Sequence, residues 1–79
     1  MNTTQIKDTL AFAVNQAIKE QRDARKCTQS VIAKRLKLTQ PRLSELVNYH
    51  LHLFSVESLV KIAGRLGLQV TIATSRKPA

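Results

Sequence analysis

A chain of 79 residues with 13 lysines and arginines against 5 aspartates and glutamates carries a formal net charge of +8. This length fits one small domain, which buries only about 60% of the surface that its unfolded chain exposes. So large a positive charge favours an anionic partner, either nucleic acid or an anionic membrane surface. No run approaches the roughly 18 apolar residues of a transmembrane helix, and the N-terminus lacks the layout of a signal peptide. We expect a cytoplasmic protein with no membrane partner.

The basic residues are concentrated in one part of the chain. Eight of the 13 fall between positions 19 and 42, where Glu20 and Asp23 are the only acids. The apolar residues are mostly leucine, isoleucine, valine and alanine, a composition typical of helices. Cys27 is the single cysteine, which excludes an intrachain disulfide and a multi-cysteine zinc site.

The first predicted helix runs from about Thr4 to Arg25, after polar residues that can act as N-caps. Its apolar residues recur at three- and four-residue spacing, which is the pattern of one buried face. They are Ile6, Leu10, Ala13, Val14, Ala17 and Ile18. The other face is predicted to be solvated and carries Lys7, Asp8, Asn15, Lys19 and Arg22.

Thr28 and Thr39 are each predicted to cap a short helix. The second helix ends near Lys37, and its predicted apolar residues are Val31, Ile32 and Leu36. The third helix runs over about residues 40–48. Pro41 lies in its first turn, where a proline loses no hydrogen bond because those amides have no partner within the helix.

Residues 49–54 are predicted to form a loop that buries Leu51, Leu53 and Phe54. Ser55 then caps a fourth helix, and Gly67 ends it. The apolar residues of that helix fall on one face and are Val56, Leu59, Val60, Ala63 and Leu66.

The hydrophobic period changes to two in residues 68–74, which predicts a β-strand. A single strand leaves its amides unpaired. We predict that it pairs antiparallel with the same strand of a second copy, which places Leu68, Val70 and Ile72 at a homodimer interface. The alternative is a coil lying on its own domain. Residues 75–79 are predicted to form a basic tail.

Two short helices joined by a tight turn, with polar side chains on the second, form the helix-turn-helix arrangement. The spacing of the small and apolar residues fits it. Ala33 falls where the two helices cross, and Leu38 fills the turn. Leu43 and Leu46 are placed to dock the third helix on the second.

The stretch TQSVIAKRLKLTQPRLSELVN, residues 28–48, resembles the helix-turn-helix of the Xre family, the lambda-repressor-like DNA-binding domains. The following LHLFSVESLVKIAGRLGLQVTI resembles the continuation in small HigA-like antitoxins and related regulators. The resemblance implies a mainly α fold of four to five helices in one domain, residues 1–79. Such families carry glycine where this chain has Lys37 and Tyr49, and a non-glycine residue at positive φ costs about 1 kcal/mol.

The resemblance also implies that the third helix enters the major groove of double-stranded DNA. Turning the apolar side of this helix inward gives the base-reading candidates Gln40, Pro41, Arg42, Ser44 and Glu45. Glutamine can pair with adenine, arginine with guanine or a phosphate, and glutamate with the cytosine amino group, while the proline ring can pack on a thymine methyl group. The candidates for contacts to the DNA backbone are Gln29, Lys34, Arg35, Lys37, Thr39 and Asn48.

Two of these residues, Glu45 and Gln29, also have a structural explanation that does not involve DNA. Glu45 follows Arg42 by three residues and can form a helix-surface ion pair with it. Gln29 can be an ordinary polar residue at a helix start.

His50 and His52 have no third metal ligand at suitable spacing, so we expect no metal site. The chain has only Gly64 and Gly67 for a phosphate-binding loop, and its five carboxylates form no catalytic pair, so we expect no cofactor and no enzymatic activity.

The sequence therefore predicts a homodimeric, sequence-specific DNA-binding regulator that acts as a repressor on a pseudo-palindromic operator. A type II antitoxin that neutralises a toxin protein and regulates its own operon is the alternative from a different class. A non-specific DNA-coating protein is disfavoured by Gln40 and Glu45, because coating needs cations and not a carboxylate on the groove face.

Overall fold

The computed structural model describes residues 2–25 and 28–70. Within them the chain forms four α-helices and a short 3-10 helix. The α-helices are α1 (Thr3–Arg25), α2 (Gln29–Leu36), α3 (Gln40–Val47) and α4 (Val56–Arg65), and the 3-10 helix is Leu51–Leu53. The mainly α fold predicted from the sequence is confirmed.

Helices α2, α3 and α4 begin at the predicted caps, because each cap supplies a side-chain oxygen to an amide that has no partner within the helix. The bonds run to Thr28 Oγ1 from the Val31 amide (3.3 Å), to Thr39 Oγ1 from the Arg42 amide (3.3 Å) and to Ser55 Oγ from the Ser58 amide (3.0 Å). Helix α1 begins with a reciprocal pair, in which the Gln5 amide donates to Asn2 Oδ1 and the Asn2 amide donates to Gln5 Oε1.

Helices α2, α3 and α4 are each followed by a residue in the left-handed conformation. These residues are Lys37 (φ 58), Tyr49 (φ 60) and Gly67 (φ 80). At each end two amides donate back to carbonyls of the last turn, as in the Schellman motif. After α2 the bonds are Lys37 N to Lys34 O (3.1 Å) and Leu38 N to Ala33 O (2.9 Å). The two positions where the resemblance implies glycine therefore keep the glycine conformation with a side chain attached.

Glycine at position 37 or 49 is expected to raise the free energy of unfolding by about 1 kcal/mol at each site, because it relieves the left-handed strain. Chemical denaturation of Lys37→Gly and Tyr49→Gly measures the gain. Gly67→Ala is the reverse control and should lower stability by a similar amount. Equal stability of all three variants and the wild type would contradict this explanation of the turns.

The core lies between α1 and the other helices, since α1 packs against α2, α3, the 3-10 helix and α4. Its buried side chains are Leu10, Val14, Ile18, Ile32, Ala33, Leu36, Leu43, Leu46, Phe54, Leu59, Ile62 and Ala63. Ala33 is 3% exposed, and Leu38 packs against the core from the turn, as their positions in the sequence predicted.

Some residues differ from the predicted burial. Leu53 is 41% exposed, whereas Leu51 and Phe54 are buried. In a 3-10 helix residues i and i+3 share a face, so Leu51 and Phe54 point inward together and Leu53 points away. On α2 and α1, Val31 is 45% exposed and Ala13 is exposed, because Ile32 and Val14 take the inward positions beside them.

Residues 68–70 follow α4 without strand structure. Leu68 and Val70 are half-buried and pack against the core of their own chain. Residues 71–74, which include Ile72, and the predicted basic tail at 75–79 lie outside the described residues. The strand at 68–74 and the dimer that it would form stay predictions.

Candidate nucleic-acid interface

Helix α3 has one buried face and one exposed face. Leu43 and Leu46 have 0% exposure, and Val47 packs against the core from the edge. We call the opposite side the α3 outer face, formed by Gln40, Pro41, Ser44, Glu45 and Asn48. All are exposed except Glu45, which is half-buried. Four of the five predicted base-reading residues thus share one face of a helix.

Gln40 and Pro41 form the first turn of this face, directly after the cap Thr39. Both are exposed, so the Gln40 amide group can meet a ligand with its donor and its acceptor. The proline has no N–H, and at the start of a helix its absence breaks no bond. The chain therefore begins α3 with one hydrogen-bonding side chain and one rigid apolar ring.

Arg42, the fifth predicted base-reading residue, contacts its own protein. Its Nη1 donates to Glu45 Oε1 at 3.3 Å, and its Nη2 donates to the Leu53 carbonyl oxygen at 3.0 Å. Its Cζ lies 4.1 Å from the centroid of the Phe54 ring, within the range of a cation–π contact. The structure thus contains the helix-surface ion pair that was the alternative for Glu45.

The predicted backbone-contact residues are exposed around α3, but they differ in how they are held. Gln29, Lys34 and Lys37 are exposed on α2 and at its end. Arg35 Nη1 donates to Gln21 Oε1 at 2.9 Å, which ties α2 to α1. Asn48 Nδ2 donates to the Ser44 carbonyl oxygen at 2.8 Å, within the last turn of α3.

Thr39 has its hydroxyl at the cap of α3, where its oxygen accepts the Arg42 amide. Its O–H hydrogen keeps its donor capacity. A contact from this hydroxyl to a phosphate is thus compatible with its structural role.

Two polar residues of α1 support this region, although the sequence placed them on a solvated face. Asn15 Nδ2 donates to the carbonyl oxygens of Ala11 (2.9 Å) and Leu46 (3.2 Å) and so ties the end of α3 to α1. Lys7 Nζ donates to the Leu51 carbonyl oxygen at 3.4 Å. Both side chains are half-buried. In the sequence each of them lies four residues from Ala11, which is fully buried, and this spacing was the signal that both side chains lie near the core.

The end of α2 is held in a similar way. Arg65 Nη1 donates to the Leu36 carbonyl oxygen at 3.0 Å, which satisfies one of the last carbonyls of α2 from α4. Both helices of the helix-turn-helix are thus anchored at their C-terminal ends by side chains of other helices. The relative position of α2 and α3 is fixed by these bonds as well as by the apolar core.

Two further features of residues 2–25 and 28–70 bear on the class of site. No group of three histidine, cysteine, aspartate or glutamate side chains in these ranges is arranged to hold a metal ion. The rings of His50 and His52 have centroids 6.3 Å apart. A search of the same ranges for a helix with the length and hydropathy of a membrane span finds none.

Comparisons with known proteins agree with this geometry. The family model described as "Helix-turn-helix domain" matches residues 2–75. A solved structure named "Putative XRE Family Transcriptional Regulator" is 37% identical to this chain, with a TM-score of 0.77, and the match covers 96% of this chain and 81% of that one. No curated protein matches the chain.

The chain belongs to the helix-turn-helix domain family and is an Xre-like member of it. This membership confirms the resemblance found in residues 28–48. Together with the exposed outer face of α3 it supports a DNA-binding function.

Proposed function

We propose that the protein is a sequence-specific transcriptional regulator that represses a gene by occluding its promoter. The observation that carries the proposal is the two-sided character of α3. Leu43 and Leu46 are completely buried, while Gln40, Pro41 and Ser44 stand on the exposed side. Such a helix can lie in a major groove about 12 Å wide and present its polar groups to base edges. The Xre-like family supports the same function.

The roles of the individual side chains follow from their chemistry. Gln40 is proposed to pair with a base, with Pro41, Ser44 and Glu45 beside it on the α3 outer face. Lys34 and Lys37 are proposed to bind phosphates, which positions the protein without reading sequence. Gln29, Arg35, Thr39 and Asn48 are the other proposed backbone contacts.

Gln40→Ala is expected to reduce the ratio of specific to non-specific DNA affinity by about 5- to 150-fold, because one bidentate base contact contributes about 1–3 kcal/mol of discrimination. Lys34→Ala should weaken both kinds of binding by a similar factor, since a phosphate contact is independent of sequence. Selection from a random pool supplies the preferred duplex, and fluorescence anisotropy on it and on a scrambled duplex measures the ratio. An unchanged ratio for Gln40→Ala would reject its base-reading role.

We also propose that the active form is a homodimer, with the two α3 helices about 34 Å apart on a pseudo-palindromic operator. In the proposed paired strands the residues at 68, 70 and 72 face one side. Ile72→Asp in the full-length chain should give a monomer in sedimentation, because each subunit then places an unpaired charge on the apolar face of the paired strands. Gln69→Asp, on the alternate side and not opposite itself in this pairing, is the matched control and should stay dimeric. A monomeric wild type at micromolar concentration would refute the dimer.

A type II antitoxin is the second candidate. It needs a surface for a protein partner, and the exposed apolar side chains of Phe12 (50%), Tyr49 (46%) and Leu53 (41%) favour one. The test is to express the product of the neighbouring reading frame and measure growth. For an antitoxin, both the wild type and Gln40→Ala should relieve a growth arrest, since neutralisation does not need base reading. If the neighbouring product causes no growth arrest, or if this chain does not relieve the arrest, the repressor remains as the proposed function.

A further inference from the structure

The guanidinium of Arg42 is held on three sides by its own chain. Two of its nitrogens donate to different oxygens, Glu45 Oε1 at 3.3 Å and the Leu53 carbonyl oxygen at 3.0 Å. Its Cζ lies over the Phe54 ring, 4.1 Å from the centroid, and Phe54 itself is 2% exposed. A planar group with two hydrogen bonds and a buried ring beneath it keeps little rotational freedom. These three contacts restrain Arg42 more than a surface cation without partners.

These contacts oppose a direct reading of guanine by Arg42. A bidentate contact to O6 and N7 of guanine uses two N–H groups on one edge of the guanidinium. In this structure Nη1 and Nη2 each use one N–H on Glu45 and Leu53, which leaves three of the five N–H groups, and the contacts fix the direction in which those three point. Turning toward a base would break both bonds and remove the cation from the Phe54 ring. The arginine side chain is 38% exposed, and the group that it supports at the α3 outer face is the Glu45 carboxylate.

Glu45 is suited to be the group that meets the base. A carboxylate accepts hydrogen bonds and donates none, and it has about four lone-pair directions, of which the Arg42 contact uses one. Its side chain is 30% exposed. The neighbouring guanidinium offsets the repulsion that a lone carboxylate would meet between DNA phosphates. Arg42 thus supplies both an orientation and a compensating charge.

We propose that Arg42 is a positioning residue that holds Glu45 in one orientation, so that Glu45 selects a base with an amino donor in the major groove, cytosine or adenine, over guanine or thymine at one strand position. Cytosine N4 and adenine N6 are those donors. A base that presents only acceptors at this point is rejected, because it leaves two acceptors facing each other without a hydrogen. The inference rests on the proposed function and makes one element of specificity depend on two residues.

The experiment compares base preferences of full-length variants on the preferred duplex and on duplexes with each base pair exchanged. Glu45→Ala first identifies the base pair that Glu45 contacts, as the one whose preference is lost. Arg42→Met keeps the aliphatic stem and removes the guanidinium. It should reduce the preference at that same base pair by about fivefold or more and leave the other positions unchanged.

Three further variants sharpen the test. Arg42→Lys keeps the positive charge but lacks the planar guanidinium that reaches Glu45 and Leu53 together. It should therefore lose the same base preference as Arg42→Met. Agreement between the two variants would show that the loss does not come from a lower stability of Arg42→Met. The double variant of Arg42→Met and Glu45→Ala should lose no more preference at that base pair than Glu45→Ala alone. Lys61→Met removes a comparable ion pair on α4, Lys61 Nζ to Glu57 Oε1 at 3.4 Å, and should change no preference.

Several results would overturn this inference and leave the proposed function standing. Arg42→Met could alter the preference at a different base pair from Glu45→Ala, which would make the arginine a base reader. It could also weaken binding to every duplex equally, which would make its role only structural. A Glu45→Ala variant with wild-type preferences would remove the carboxylate from recognition. A wild type that prefers no sequence would overturn the proposed function together with the inference.

Discussion

Phe54→Ala is expected to lower the free energy of unfolding by about 3–5 kcal/mol, the range for a large aromatic side chain deleted from a core. Phe54 is 2% exposed and is among the largest fully buried side chains of the chain. It also lies beneath the Arg42 guanidinium, so its loss removes a cation–π contact along with apolar burial. A domain of this length has about 4–12 kcal/mol of stability in total. Urea denaturation should therefore find the variant close to unfolding in water.

The chain provides a matched control for this substitution. Phe12 has the same side chain but is 50% exposed on α1. Phe12→Ala should change stability by no more than about 0.5 kcal/mol, as surface substitutions usually do. Equal destabilisation by the two substitutions would show that Phe54 does not contribute more to the core than an exposed phenylalanine does.

Salt is expected to have the second large effect. The affinity for DNA should fall about a thousandfold between 50 and 200 mM salt. If three cations per subunit, Lys34, Arg35 and Lys37, each neutralise one phosphate, a dimer neutralises six. The slope of log affinity against log salt is then roughly −5, because each phosphate contact releases condensed counterions. Anisotropy titrations at several salt concentrations measure the slope directly.

One substitution on α2 and one on α4 test where the charge acts. Lys34→Ala should reduce the magnitude of the slope by about 2 for the dimer, one contact from each subunit. Lys61, which is exposed on α4 beside Glu57, serves as the control cation, and Lys61→Ala should leave the slope unchanged. If both variants shifted the slope equally, the net charge would drive binding and the proposed face would have no special role.

The helix boundaries could be predicted from the sequence because they depend on local chemistry. Thr28, Thr39 and Ser55 each bond to an amide three residues later, so the signal and its partner lie in one short stretch. The α3 outer face was predictable for the same reason, since an eight-residue helix with Leu43 and Leu46 on one side has only one other side.

The contacts that hold the site could not be predicted in this way, because their partners are distant in the sequence. Asn15 bonds to a carbonyl 31 residues away, Lys7 to one 44 residues away and Arg42 to one 11 residues away. The spacing of Lys7 and Asn15 around Ala11 indicated that both lie near the core, but it did not identify the carbonyl that each one bonds. The predicted burial of Leu53 was wrong for a different reason, because apolar content alone does not reveal that a 3-10 turn points this side chain outward.

Residue 37 shows how two kinds of selection can oppose each other within one side chain. The left-handed backbone at this position, φ 58, favours glycine, yet the chain has a lysine in the turn between α2 and α3. If Lys37 binds a phosphate as proposed, Lys37→Gly would make the folded protein more stable and the repressor weaker. A screen of this gene for heat resistance would then enrich glycine at position 37, whereas a screen for tight repression would retain lysine.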